Sequence, residues 1–315
     1  MSSSAADPNA GLARIIVAAP MKSGSTYVSV VLGTYFEVEN PSFDYDWEME
    51  HALTETVLAQ LRGHTFSINL HMLPHRINAE ACNAENIWLV VLWRNLADMI
   101  VSANDHRFNE GGRGPGMYVM EPQHYAQLDD EARFRFLIDT LAAWYVAFYL
   151  KWRHAGAPMY AFERMVADPR TFFVDIIEHS LRHQPLIERL DASIAVAKGE
   201  DQRVNVGRVG RSALKLSDEN KRRLERRLLT HPDIAQLEIL LWELPWEVPA
   251  LAPRSPFDGQ VVRASDGATP LFVSRGVAYP VSAAWLASRT ADRRVPYTVE
   301  DGAALNALPR GEALL

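Results

Sequence analysis

The segment Arg14 to Thr34 constrains the fold more than any other part of the chain. Arg14 to Ala19 is apolar after its first residue, with a polar stretch before it and Pro20 after it. A run of that length fits a strand buried on both faces. Pro20-Met21-Lys22-Ser23-Gly24-Ser25-Thr26 follows, and then Tyr27, Val30, Val31 and Thr34 recur at helical spacing. A strand that passes through a glycine turn into a helix aims backbone N–H groups and the positive helix end at whatever sits above the turn. Here Gly24 permits close approach, Ser25 and Thr26 bring hydroxyls, Lys22 brings a charge, and Ser23 belongs to the same candidate loop. The turn is therefore a phosphate-site candidate. An ordinary Gly/Ser turn is the bland alternative.

The same alternation continues downstream. Ile87 to Trp93 is a second buried-strand candidate, and Asn95 can cap the following helix, where Leu96, Met99, Ile100 and Ala103 repeat at three and four. Phe134, Leu137, Ile138, Leu141, Tyr145, Phe148 and Trp152 predict a long helix over Asp130 to His154. The aromatic residues of that helix read as core packing. Pro158 to Phe162 is a third short strand, and Asp168-Pro169 opens another helix. Ser217 with Asp218 and Glu219 opens a further one, ending near His231-Pro232. Short buried strands alternating with helices predict an α/β three-layer sandwich with a mainly parallel sheet.

A boundary is expected in the Pro-rich stretch around Pro245 to Pro256. Beyond it, Asp258-Gly259, Asp266-Gly267 and Arg275-Gly276 punctuate short β-like pieces, Gln260 to Ala264 and Leu271 to Ser274. The expected organisation is a loose tail over 1–13, a main domain over 14–250, and a small β-rich C-terminal module over 257–315.

Composition narrows the function. The chain has 315 residues, 48% of them hydrophobic and 23% charged, enough for one large core. No apolar run approaches the roughly 18–20 residues of a membrane span. A net charge of −7 argues against broad nucleic-acid binding, so an anionic ligand would need a local cationic pocket. The single cysteine, Cys82, excludes an internal disulfide and suits a reducing compartment, so a cytoplasmic location is expected. Lys221, Arg222, Arg223, Arg226 and Arg227 form a basic run late in a predicted helix, where cations complement the macrodipole.

The nucleotide P-loop of ATP and GTP enzymes reads G-x-x-x-x-G-K-[ST]. In this chain the lysine precedes the glycine, which disfavours that class. The order Pro-x-Lys-Ser-Gly-[ST]-Thr followed by an aromatic resembles the 5′-phosphosulfate loop of sulfotransferases dependent on 3′-phosphoadenosine-5′-phosphosulfate (PAPS). That family holds the cofactor's 3′-phosphate with an arginine just after a core strand and a serine one helical stretch later. Arg94 and Ser102, eight residues apart, match this arrangement. Arginine suits the task because its planar fork pairs with phosphate oxygens.

Asn69-Leu70-His71-Met72-Leu73-Pro74 is similar to the family's Lys-Thr-His-Leu-Pro segment, whose histidine is the general base. Asn69 replaces the lysine, which removes one positive contact. His75 lies four residues beyond His71, but Pro74 weakens the helix that a metal pair would need, so no metal is assigned. The family's later Arg-Lys-Gly and Gly-Asp-Trp stretch compares with Arg203 to Ser212. Gly207 and Gly210 fit its glycines, and Arg203, Arg208 or Arg211 would complete the 3′-phosphate site. Tyr27 stands where the family has a tryptophan against the adenine, and Phe162 where it has a tyrosine. Both are assigned to the cofactor, with a core role equally open for Phe162.

The resemblance covers roughly Arg14 to Trp246. It implies in-line displacement at sulfur, with His71 deprotonating the acceptor and Lys22 stabilising the leaving phosphate oxygen. PAPS is the implied donor and 3′-phosphoadenosine-5′-phosphate (PAP) the product. The acceptor would be a small molecule, glycan or lipid bearing a hydroxyl or amine. Segments Phe36 to Phe66 and Ala103 to Gln127 would cover it, the second with a glycine-rich lid over Gly111 to Gly116. A homo-oligomer stays open. So do two other classes: a P-loop kinase or NTPase, and a catalytically impaired nucleotide-binding protein of the same fold.

Overall fold

A computed structural model describes residues 13–41, 51–109, 122–199 and 208–231, with shorter pieces between 233 and 310. The chain divides into two compact units, residues 1–216 and 217–315. The division falls before the helix that Ser217 opens. The Pro245 to Pro256 stretch lies outside the described residues.

In the first unit, strands β1 (Arg14–Ala18), β2 (Phe66–Leu70), β3 (Trp88–Trp93) and β4 (Met159–Ala161) form one sheet in the order β2-β1-β3-β4. Every pairing is parallel, with Ile16 opposite Ile68 on one side and opposite Leu89 on the other. After Arg14, strand β1 is apolar because both of its faces are covered. Ile15 and Val17 join a core with helices α1 (Ser25–Phe36), α7 (Phe162–Ala167), α8 (Pro169–Asp175) and α9 (Ile187–Gly199). Ile16 and Ala18 face the opposite core, with α2 (Glu55–Leu61), α3 (Arg76–Ala84) and the long α6 (Asp130–His154). The period of two along one strand thus feeds two cores, which is the three-layer arrangement.

The helix starts follow their caps. Asn95 Oδ1 accepts from Asp98 N at 3.1 Å at the head of α4 (Leu96–Asn109). Asp129 caps α6 through Ala132 N at 2.7 Å, and Asp168 caps α8 through Thr171 N at 3.1 Å. Strand β2 escapes the sequence reading because Ser67 and Asn69 interrupt its apolar pattern. Ser67 is buried all the same. Its hydroxyl donates to Ser29 O and Ser29 Oγ donates to Ser67 O, both at 2.8 Å, which ties β2 to α1.

The second unit begins with α11 (Asp218–Leu229), capped by Ser217 Oγ accepting from Asn220 N at 3.2 Å. Leu224 and Leu228 are buried, and Arg222 and Arg227 are exposed. Four strands, β5 (Val261–Ala264), β6 (Leu271–Ser274), β7 (Val277–Pro280) and β8 (Tyr297–Glu300), form a sheet in the order β7-β6-β5-β8. Its first two pairings are antiparallel and the β5–β8 pairing is parallel. The two β-like pieces expected from sequence become β5 and β6. Among the described residues no helix is long and apolar enough to cross a membrane.

Candidate functional site

The turn after β1 is built from two left-handed residues. Lys22 has φ 63° and Gly24 φ 82°. The first is uncommon for a side chain larger than asparagine. Ser23 is fully buried and its Oγ donates to Pro20 O at 2.5 Å, so its hydroxyl closes the turn instead of facing a ligand. Helix α1 then starts at Ser25 with no side-chain cap, and its first intrahelical bond runs from Val28 N to Gly24 O at 3.1 Å. The amides of Ser25, Thr26 and Tyr27 precede that first bond, so they make none of the helix's own and are of the kind an anion above the turn can take. Ser25 is buried, Thr26 exposed, and Tyr27 half-buried with its ring 6.1 Å from that of Phe173.

Arg94 follows β3 and is 4% exposed. It spans two backbone segments: Nη1 donates to Lys22 O at 3.0 Å and Nη2 to Arg208 O at 3.1 Å. Its guanidinium carbon lies 4.1 Å from the centre of the Phe162 ring. Among the described residues, buried Nε has no hydrogen-bond partner, and neither has Asn95 Nδ2 next to it in sequence. These are orphaned donors of the kind an oxyanion satisfies.

Asp98, Ser102 and Asp105 recur at four and three residues and share one face of α4. The segment Arg208 to Lys215, including the short helix α10 (Ser212–Lys215), lies along that face. Asp98 accepts from Gly210 N at 2.6 Å and from Ser212 N at 3.0 Å. Asp105 pairs with Arg211 and, at 2.8 Å, with Lys215 Nζ. Ser102, 2% exposed, sits between these two clasps. Arg208 has an exposed side chain. Arg203 and Gly207 lie outside the described residues.

His71 follows β2. Its Nδ1 is 2.8 Å from Ala19 O, and a carbonyl only accepts, so Nδ1 carries the proton. Nε2 is left with its lone pair, and no described residue bonds to it. Burial lowers the His71 pKa below the usual histidine value, with the Ala19 bond opposing. A partner that sequence reasoning missed stands beside it. His51 Nδ1 accepts from His71 N at 2.9 Å, its own N donates to His71 O at 2.9 Å, and the rings stack 5.3 Å apart at 15°. Burial and the neighbouring His71 hold the His51 pKa down to about 4. Trp144 closes the other side, edge-on to His71 with centroids 6.4 Å apart. Nothing in the sequence around His51 signals this contact. His75 is exposed at the start of α3, and no group of three metal-ligating side chains occurs among the described residues.

The turn, His71, Arg94 and Phe162 thus follow the carboxyl ends of four neighbouring parallel strands, where open α/β sheets bind their ligands. Glu163, next to Phe162, accepts from Asn95 N at 3.0 Å and ties the last two of these ends together. Segments 42–50 and 110–121, expected over the acceptor, lie outside the described residues.

A parallel sheet whose central strand runs through a glycine turn into an uncapped helix defines the P-loop-like α/β class. Within that class, the chain has the sulfotransferase fold. The mouse sulfotransferase SULT7A1 complexed with PAP aligns with a TM-score of 0.50 at 11% identity, over 73% of this chain and 86% of that one. Retinol dehydratase in complex with androsterone and inactive cofactor PAP aligns with a TM-score of 0.40 at 14% identity, over 75% and 82%. No protein-family model and no curated sequence matches the chain.

Proposed function

We propose that this chain is a PAPS-dependent sulfotransferase acting on a hydroxyl or amine of a small molecule, glycan or lipid. The observation that carries the reading is the tautomer of His71. A histidine locked with Nδ1 protonated and Nε2 open, one strand away from a phosphate turn, is arranged to accept a proton.

PAPS would supply the sulfuryl group and leave as PAP. The amides ahead of Val28 and the Lys22 ammonium would hold the 5′-phosphate oxygens and the charge that grows on the leaving oxygen. Arg94 Nε, Ser102 and one of Arg203, Arg208 or Arg211 would hold the 3′-phosphate, with Arg211 first giving up part of its pairing to Asp105. His71 Nε2 takes the proton of the acceptor as the new oxygen–sulfur or nitrogen–sulfur bond forms. Asn69 leaves the transferring group without the lysine that the family has there. A chain with one cysteine and so no internal disulfide is in keeping with a cytoplasmic enzyme.

Transfer of radiolabel from PAPS to a panel of phenols, lipids, glycans and peptides tests this reading. Transfer that His71→Ala abolishes is expected. Calorimetric binding of PAP with no transfer to any acceptor would instead favour a nucleotide-binding protein without turnover, which the missing lysine at Asn69 makes the second reading. Turnover of Mg²⁺-ATP without PAP binding would overturn both.

A further inference from the structure

The carboxylate of Asp98 is fully buried, yet it lies at the start of α4 rather than in the hydrophobic core. Three donors reach it from the opposing segment: Gly210 N at 2.6 Å, Ser212 N at 3.0 Å and Ser212 Oγ at 2.6 Å. A buried carboxylate with three hydrogen bonds is a strong, charge-assisted anchor. The Arg94 guanidinium lies 3.9 Å from Oδ2 and adds a fourth favourable neighbour. Gly210 at φ 81° is the kind of residue that can turn its amide onto the carboxylate at that point. Two residues earlier, Arg208 O accepts from the same Arg94 that holds Lys22 O. One chain of contacts therefore runs from the phosphate turn through Arg94 and Arg208 to Gly210 and Asp98.

We propose that Asp98 is a positioning residue that latches the Arg208–Ser212 segment onto α4 and so builds one wall of the nucleotide site. This rests on the PAPS reading above for the identity of the ligand, but not for the latch itself. Asp98 touches no reacting atom. It acts by fixing the backbone that meets Arg94 and by holding the segment across Ser102.

The test compares wild type, Asp98→Asn and Ser212→Ala by calorimetry with PAP and by hydrogen exchange at the Gly210 and Ser212 amides. Asp98→Asn keeps the volume but removes the charge and turns one acceptor into a donor facing N–H groups. Ser212→Ala removes only the hydroxyl bond. The expected result is PAP binding weaker by at least about tenfold in Asp98→Asn and by a fewfold in Ser212→Ala, at unchanged stoichiometry. A merely structural role would lower the fraction of competent protein, and so the stoichiometry, while leaving the dissociation constant alone; that result overturns the proposal. Wild-type affinity in both variants also overturns it. If Asp98→Asn does not fold, Ser212→Ala carries the test. If the wild type does not bind PAP, the functional reading fails. Faster exchange at both amides would then still support the latch, and unchanged exchange would end it.

Discussion

Arg94 and Phe162 are stacked, with the guanidinium carbon 4.1 Å from the ring centre, and the same ring closes on Gly24. A Cβ built on Gly24 would stand 2.7 Å from Phe162 Cδ2 and 2.9 Å from Cε2. The phenylalanine is thus a wedge that sets the distance between the turn after β1 and the arginine. It is buried and belongs to the core on that side of the sheet.

Gly24→Ala is expected to cost about 2–4 kcal/mol, from left-handed backbone strain together with overpacking. Urea unfolding measures it. Adding Phe162→Leu should recover part of the loss, because the clash is with the ring. Full additivity of the two substitutions would show that the ring is not what constrains Gly24.

Lys22 occupies a left-handed backbone conformation that glycine tolerates. Relief of strain and the greater flexibility of the unfolded glycine chain nearly offset, so Lys22→Gly should leave stability within about 1 kcal/mol. Under the proposed mechanism, sulfuryl transfer should nevertheless fall by about 10²-fold or more, because the charge assigned to the leaving oxygen is lost. Thermal melts alongside a transfer assay separate the two effects. Normal transfer would remove Lys22 from the mechanism.

Burial lowers the His71 pKa below its usual value near 6.5. The neutral, proton-accepting form therefore persists to more acidic pH than an exposed histidine allows. The acid limb of kcat/KM against pH is expected to inflect below 6.5. An inflection above that value would mean that another group titrates. His71→Asn should abolish the limb and lower the rate by about 10²–10⁴-fold.

His51 also affects stability. Its pKa is about 4 in the fold and near 6.5 in the unfolded chain, so between those values the unfolded chain binds more protons. Its contribution is complete above pH 6.5 and is lost as pH falls towards 4. At about 1.4 kcal/mol per pH unit, the loss is on the order of 3 kcal/mol. His51→Asn keeps an acceptor for His71 N but does not titrate. Denaturant midpoints at pH 7 and pH 4.5 should therefore fall further for wild type than for the variant, and equal falls would contradict this account.

Residues of the candidate site were legible where chemistry demands a residue type at a chain position fixed by local structure. The turn declares itself because a strand, a glycine and a helix adjoin. Arg94 stands directly after an apolar run, whereas His71 was legible only through the likeness of its segment to the family's histidine motif. Gly207 and Arg203 could be matched only by spacing. Asp98 looks in sequence like any acidic residue in the first turn of a helix, where the macrodipole already explains it. Its real partners are more than a hundred residues away.

Local pattern alone determined some of the elements: apolar runs made β1, β3 and β4, and acceptor side chains started α4, α6, α8 and α11, because these preferences act within a few residues. Only the tertiary structure decided which side chains meet. The parallel order β2-β1-β3-β4 sets His71 and Arg94 on either side of the turn, and the packing of distant segments brings His51 onto His71 and Gly210 onto Asp98. Such contacts depend on how strands are ordered and layered, and no short-range periodicity encodes that order.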